Sequence, residues 1–142
     1  VTPMKGQTQL KLFGAVPLPA GFVVSATYQN LAGPDYQADL AATTAQIAPS
    51  LGRNLAGGAR TAVVPLLIPR NQFDARISRL DLRGTKRMQL TRRIGLQVNV
   101  DAYNALNAGA VRLVNNLYGP RWFNALSVLD ARLIQFSAQL SF

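Results

Sequence analysis

The chain has 142 residues with no cysteine and no histidine, and its fifteen Lys and Arg against six Asp and Glu give a formal net charge of +9. This length suits one domain with a real core, and the missing Cys and His exclude disulfides, thiol chemistry and the usual zinc sites. Although 49% of the residues are hydrophobic, no window reaches the roughly 18 apolar residues that a membrane helix needs.

The same composition argues against nucleic-acid binding and catalysis. The basic residues between positions 70 and 93 alternate with Leu80, Leu82 and Ile94 and form no continuous run, so we expect no nucleic-acid partner. Six acids without His or Cys leave only carboxylate pairs, or hydroxyls activated by lysine, and the sequence shows no constellation of either kind. We therefore expect no enzyme, no catalytic residue, no metal site and no cofactor.

Two-residue alternation, which is typical of a strand with two different faces, begins near the amino terminus. Residues 8–17 alternate loosely because Phe13 interrupts the pattern, and Pro17 to Gly21 predicts a turn. Residues 22–31 alternate more regularly and predict a second strand. One of its faces carries Phe22, Val24, Ala26 and Tyr28.

Two long stretches without regular alternation separate the remaining strands. The first, at about residues 32–74, contains four prolines and can hold only short strands or a helical turn. Alternation resumes at residues 76–88, and after the short connection QLTRR it continues at residues 94–104. The second long connection covers about residues 105–130.

The closing stretch RLIQFSAQLSF has the strictest alternation in the chain. One of its faces is apolar after its first residue, and the other is uncharged and mostly polar. This pattern suits a half-buried strand in water, or a strand with lipid on one side and water on the other. The apolar face carries Arg132, Ile134, Phe136, Ala138, Leu140 and Phe142.

The connections therefore alternate between short and long. In an antiparallel meander every second connection lies at the same end of the sheet, so the short turns share one end and the long loops share the other. The sequence predicts an all-β chain, an antiparallel meander of about five strands with two long loops. Outer-membrane β-barrels have this asymmetry, with short periplasmic turns and long extracellular loops.

Several segments resemble the final strands of TonB-dependent receptors of the carboxypeptidase-regulatory-like, Oar-like type. They are LPAGFVVSATYQNLAGP, LGRNLAGGA, ISRLDLRGTK, LQVNVDAYNALNAGAV, and YGPRW with VLDARLIQFSAQLSF. The similarity covers nearly all of residues 1–142 as a single segment. Its most specific part is DAYNALNA, which resembles the D-x-Y-N-x-x-N motif at the top of the family's penultimate strand.

The resemblance implies the carboxy-terminal portion of an outer-membrane barrel that imports nutrients with energy from the inner membrane. It implies a location in the bacterial outer membrane and, as partners, outer-membrane lipid and the barrel-assembly machinery. That machinery reads a closing strand with a terminal aromatic, so Phe136, Leu140 and Phe142 become a candidate assembly signal. Phe142 would then lie at the periplasmic rim. Gly84 departs from the family, where an aromatic residue is expected.

Five strands are too few to close a barrel in lipid, for which about eight is the usual minimum, and an open edge in hydrocarbon leaves backbone groups unpaired. The sequence begins at Val1 and contains no plug, no TonB-contacting box and no regulatory domain. We therefore expect its partners to be the remaining strands of a parent barrel or identical copies of itself. In the second case the chain would be a self-assembling β fragment, forming a filament or oligomer through strand edges, and could be extracellular. A third hypothesis is that the chain is a small soluble β-sandwich that binds a ligand.

Three groups of side chains are candidate functional residues, each with a structural alternative. Charged residues near the third strand line a lumen, or form a solvated face with cross-strand ion pairs. A polar group after the fourth strand contacts ligand, or caps a loop. Aromatic residues of the second long connection form an outer belt or contact ligand, or build the core of a loop. The groups are, respectively, Arg76, Arg79, Asp81 and Arg83; Asp101, Tyr103 and Asn104; and Tyr118 and Trp122, with Phe123.

Overall fold

The computed structural model describes residues 7–142, which fall into two compact units. The sheet unit comprises Gln7–Ala32, Arg76–Ala110 and Leu129–Phe142. The loop unit comprises Gly33–Ala75 and Val111–Val128, which belong to the two long connections. None of the helices in residues 7–142 has the length and apolar character that a membrane span requires.

The sheet unit is a five-stranded antiparallel sheet whose neighbouring strands follow one another in chain order, apart from the short strands of the long connections. This confirms the predicted all-β antiparallel meander, and the observed strands differ from the predicted ones by no more than two residues at either end. The order is β1-β2-β5-β6-β9. The strands are β1 Leu10–Leu18, β2 Phe22–Leu31, β5 Ile77–Gln89, β6 Gly95–Tyr103 and β9 Leu133–Ser141.

A single 3₁₀ turn, Pro19–Gly21, joins β1 to β2. Ala20 and Gly21 both have positive φ, at 61° and 76°. A Cβ on Gly21 would lie 2.5 Å from the carbonyl oxygen of Arg87, so glycine is required at this position by both its backbone conformation and its neighbour. The turn is thereby fixed against β5, at the short-turn end of the sheet.

The strand register is continuous across the sheet, so side chains fall into rows that cross all five strands. One row contains Val16, Val24, Gly84, Val100 and Phe136. The adjacent row, on the opposite face, contains Ala15, Ser25, Arg83, Asp101 and Gln135. A shift of one residue in any strand would mix the two faces, so the alternation in the sequence specifies the register.

The loop unit contains two small antiparallel sheets and one short helix. The strands of the first sheet are connected through the helix, which starts with a capping box between Thr43 and Gln46 and ends at Gly52 in the left-handed conformation. The short elements allowed for the first connection are present, and the second connection contains a strand pair that the sequence pattern had not predicted. The elements are β3 Asp39–Thr43, α1 Thr44–Leu51, β4 Thr61–Pro65, β7 Val111–Val114 and β8 Ala125–Val128.

Candidate functional site: the two faces of the five-stranded sheet

One face of the sheet, which we call the apolar face, presents large hydrophobic side chains that are accessible to solvent. The exposed fraction is 56% for Leu12, 74% for Phe136 and 58% for Leu140. Isolated exposed apolar residues are common on proteins, but a contiguous set indicates contact with lipid or a partner. The apolar face consists of Leu10, Leu12, Val16, Leu18, Phe22, Val24, Leu80, Leu82, Met88, Leu96, Val98, Val100, Ile134, Phe136 and Leu140.

Charged and amide side chains on this side occur only near the strand ends. At the short-turn end, the Lys86 ammonium group donates a hydrogen bond to the carbonyl oxygen of Ala20 and lies 4.0 Å above the ring of Phe22. At the other end, Asn30 donates to Ser78 and accepts a 2.6 Å bond from Arg76. An apolar band is therefore bounded by polar groups at both ends, as amphipathic side chains arrange themselves at a membrane interface.

The opposite face, which we call the polar face, carries a network of side-chain hydrogen bonds across β5, β6 and β9. Thr85 donates to Asn99 at 2.9 Å, and Asn99 donates to Ser137 at 3.1 Å. Gln97 donates to the same Asn99 oxygen and accepts from Arg87. Because the side chains satisfy one another, Thr85 and Asn99 can be buried without an unpaired polar group.

Two ion pairs extend this network toward the loop end of the sheet. Arg83 on β5 forms a bidentate pair with Asp101 on β6, with N–O distances of 2.5 and 3.1 Å, and only 3% of Asp101 is exposed. Arg79 pairs with Asp81 within β5 at 2.9 Å. The structure thus brings Arg79, Asp81 and Arg83 onto the polar face. Arg76 precedes β5 and does not join them, because its guanidinium binds Asn30 and the carbonyl oxygen of Thr8.

The burial of the two faces is the reverse of that in a sheet of a water-soluble domain. The polar face holds the buried residues Thr85, Asn99 and Asp101, whereas the apolar face holds none. A half-buried sheet in water normally places its apolar side against the core and its polar side in solvent. Within the described residues the large side chains of the apolar face are therefore left uncovered, as is Phe13 on the polar side of β1.

The residues of the DAYNALNA motif fix the start of the second long connection. Asn104 has a positive φ of 47°, and its amide group donates to the carbonyl oxygens of Ala108 and Asp130 while accepting from the Ala108 N–H. Its own N–H donates to Asp81. The side-chain oxygen of Asn107 accepts a hydrogen bond from the backbone N–H of Arg132. Asn104 thus holds the start of this connection in place, whereas Asp101 forms the ion pair with Arg83 on β5.

Tyr103 follows the same polar face to the point where β6 ends. It lines a cavity of about 160 Å³ together with Arg79, Asn104 and Leu133. Leu129 and Ala131 also line it, so the cavity is a small recess of mixed polarity at the loop end of the sheet.

The aromatic residues of the second connection lie in the loop unit and contact the first connection. The Trp122 indole N–H donates to the carbonyl oxygen of Gln37 at 2.8 Å. Phe123 meets Tyr36 edge to face with ring centroids 4.6 Å apart, and Tyr118 lies 6.1 Å from Trp122. These contacts join the two long connections within the loop unit, and Tyr118 and Trp122 remain exposed to solvent.

Phe136 and Leu140 of the candidate assembly signal lie on the apolar face of β9, and Phe142 follows the last strand residue with its side chain fully exposed. The Thr85–Asn99–Ser137 network was not predicted from the sequence, since each of the three residues is ordinary by itself. Its only signal is that all three fall on the polar side of the alternation.

Residues 7–142 contain no group of three or more acidic side chains that could hold a metal ion. In comparisons with protein-family models, curated proteins and solved structures, no match to this chain was found.

Proposed function

We propose that the chain forms the carboxy-terminal strands of an outer-membrane TonB-dependent transporter that takes up a nutrient. The observation that carries this proposal is an exposed apolar face across all five strands, opposite a polar face whose side chains are hydrogen-bonded across β5, β6 and β9. In a transmembrane barrel, side chains alternate between lipid and lumen in this way. The resemblance of the segments around DAYNALNA to TonB-dependent receptors supplies the family.

The strand lengths support the proposal. The five strands have between 9 and 13 residues, and a strand of 9 residues is about 30 Å long at roughly 3.3 Å per residue. Tilted by about 40°, it spans roughly 23 Å, which is close to the apolar band of about 25 Å in outer-membrane barrels. In this arrangement Lys86 and Asn30 lie near the two edges of the band.

The proposed partners follow from the two edges of the sheet. Within the described residues β1 pairs only with β2, and β9 pairs only with β6. In lipid both edges require further strands, because unpaired backbone groups cost several kcal/mol each in hydrocarbon. The remaining barrel strands, surrounding lipid and the barrel-assembly machinery acting on β9 are therefore the partners we propose.

Neighbouring residues on β9 provide the test. Gln139→Cys and Leu140→Cys place the only thiol of these 142 residues on the polar and apolar faces respectively, and both side chains are exposed in the structure. In outer-membrane vesicles from cells that produce the protein with all its strands, a water-soluble maleimide should label Gln139→Cys and spare Leu140→Cys. Equal labelling of both thiols would contradict a lipid-facing apolar face.

The open edges also favour a second candidate function, a self-assembling β fragment. An exposed flat strand edge pairs readily with another chain, and here two such edges flank an exposed apolar face. Light scattering of the purified chain with and without detergent distinguishes the candidates. A transporter segment needs detergent or its companion strands to remain dispersed, whereas a filament persists as a large particle of this chain alone.

A further inference from the structure

The outer edge of β9 is better suited to pairing than the outer edge of β1. From Leu133 to Ser141, β9 contains no charged residue, no proline and no glycine. β1 contains Gly14 and Pro17, and proline lacks the N–H that a strand partner needs while glycine weakens a strand. A short segment without charge, proline or glycine is also a composition that promotes pairing between chains.

The β9 sequence is nearly symmetric about its centre, Ser137. An antiparallel copy aligned on this residue would place Gln135 opposite Gln139 and Ile134 opposite Leu140, and Phe136 would face Ala138. Amides would meet amides on the polar face, and apolar side chains would meet apolar side chains on the other. No like charges oppose each other, which removes a common obstacle to pairing of identical strands.

We propose that two copies of this chain, when the companion strands are absent, pair antiparallel through β9 about a two-fold axis at Ser137. Such an axis is perpendicular to the sheet and keeps the same face of both copies on one side, so the result is a ten-stranded sheet with one continuous apolar face. The exposed side chains of Ile134, Phe136 and Leu140 gain cross-strand neighbours in the partner copy.

The inference does not rest on the transport proposal. The two-fold axis reverses the strand direction of the second copy, so the long connections of the two copies leave from opposite ends. The two copies would then have opposite orientations in a membrane. The β9 edge can therefore pair with a second copy or with a strand of a parent barrel, but not with both.

Ser137→Cys tests the inference, since the chain has no other cysteine. At the axis the two Cα atoms would lie about 4.5–5.5 Å apart, within the range that a disulfide accepts. Oxidation of the purified 142-residue chain in detergent micelles should convert it into a covalent dimer. Gln135→Cys is the matched control, because its two copies would lie about 13 Å apart, four residues along the strand.

A second arm does not depend on Ser137, whose hydroxyl accepts from Asn99. A mixture of Gln135→Cys and Gln139→Cys chains should give the mixed disulfide, at least about tenfold more than either chain alone. Light scattering of the unsubstituted chain in the same micelles should give the protein mass of two chains. A monomer mass, or equal cross-linking of Ser137→Cys and Gln135→Cys, would overturn the proposed pairing.

Discussion

Replacement of Asn104 by alanine should destabilise the sheet unit strongly. Its side chain is 3% exposed and makes hydrogen bonds of 2.9, 2.7 and 3.0 Å to Ala108 and Asp130. Each such bond contributes about 0.5–1.5 kcal/mol net, so the loss of all of them lowers the free energy of unfolding by roughly 2–4 kcal/mol. Alanine also tolerates the positive φ poorly, at about 1 kcal/mol more.

The measurement is urea unfolding of the chain in detergent micelles, followed by circular dichroism. With a denaturant dependence of about 2 kcal/mol per M, the midpoint of Asn104→Ala should fall by roughly 1.5–2.5 M. Asn104→Gly should recover about 1 kcal/mol of this loss, because glycine accepts a positive φ. Gln135→Ala, with an exposed side chain on β9, serves as control. If Asn104→Ala unfolds at the same urea concentration as Gln135→Ala, Asn104 does not pin the loop.

Three further predictions concern the faces of the sheet and one close backbone contact. Val100→Arg should destabilise the proposed membrane-inserted barrel by about 2–4 kcal/mol, measured by urea titration in liposomes, whereas Gln135→Arg, exposed on the polar face opposite Asp101, should not. Gly84→Leu should leave the urea midpoint unchanged or raise it, because its Cβ would meet no atom within 4 Å. Gly33→Ala should accelerate proteolysis of the first long connection, since its Cβ would overlap the carbonyl oxygen of Ala75.

The main strands could be predicted from sequence because their pattern depends on neighbours only two residues away. The predicted range 22–31 is the observed β2, and the other four strands differ only at their ends. β7 and β8 could not be predicted in the same way, since each has four residues and irregular pairing. A period of two is barely sampled over four residues, and such strands depend on contacts distant in sequence.

The positions of some candidate residues likewise follow from local alternation, whereas those of others depend on long-range contacts. Arg79, Asp81 and Arg83 share a face because alternate residues of one strand must do so, whereas Arg76 lies outside the strand and obeys no such rule. Whether Asn104 bound a ligand or pinned a loop depended on the position of Asp130, twenty-six residues away. A local sequence pattern does not show a contact between residues so far apart in the chain, so both interpretations of Asn104 remained open.

Strand direction limits the assemblies open to this sheet. In the order β1-β2-β5-β6-β9 with antiparallel neighbours, β1 and β9 run in the same direction. Identical copies joined β9 to β1 with their apolar faces on one side would therefore need a parallel strand pair, and such copies cannot continue an antiparallel meander. A closed antiparallel barrel needs an odd number of further strands between β9 and β1, which a longer chain would supply. With their apolar faces on one side, copies alone can pair antiparallel only through like edges, and Gly14 and Pro17 weaken one of these, so β9 is the edge for which the proposed parent barrel and a second copy would compete.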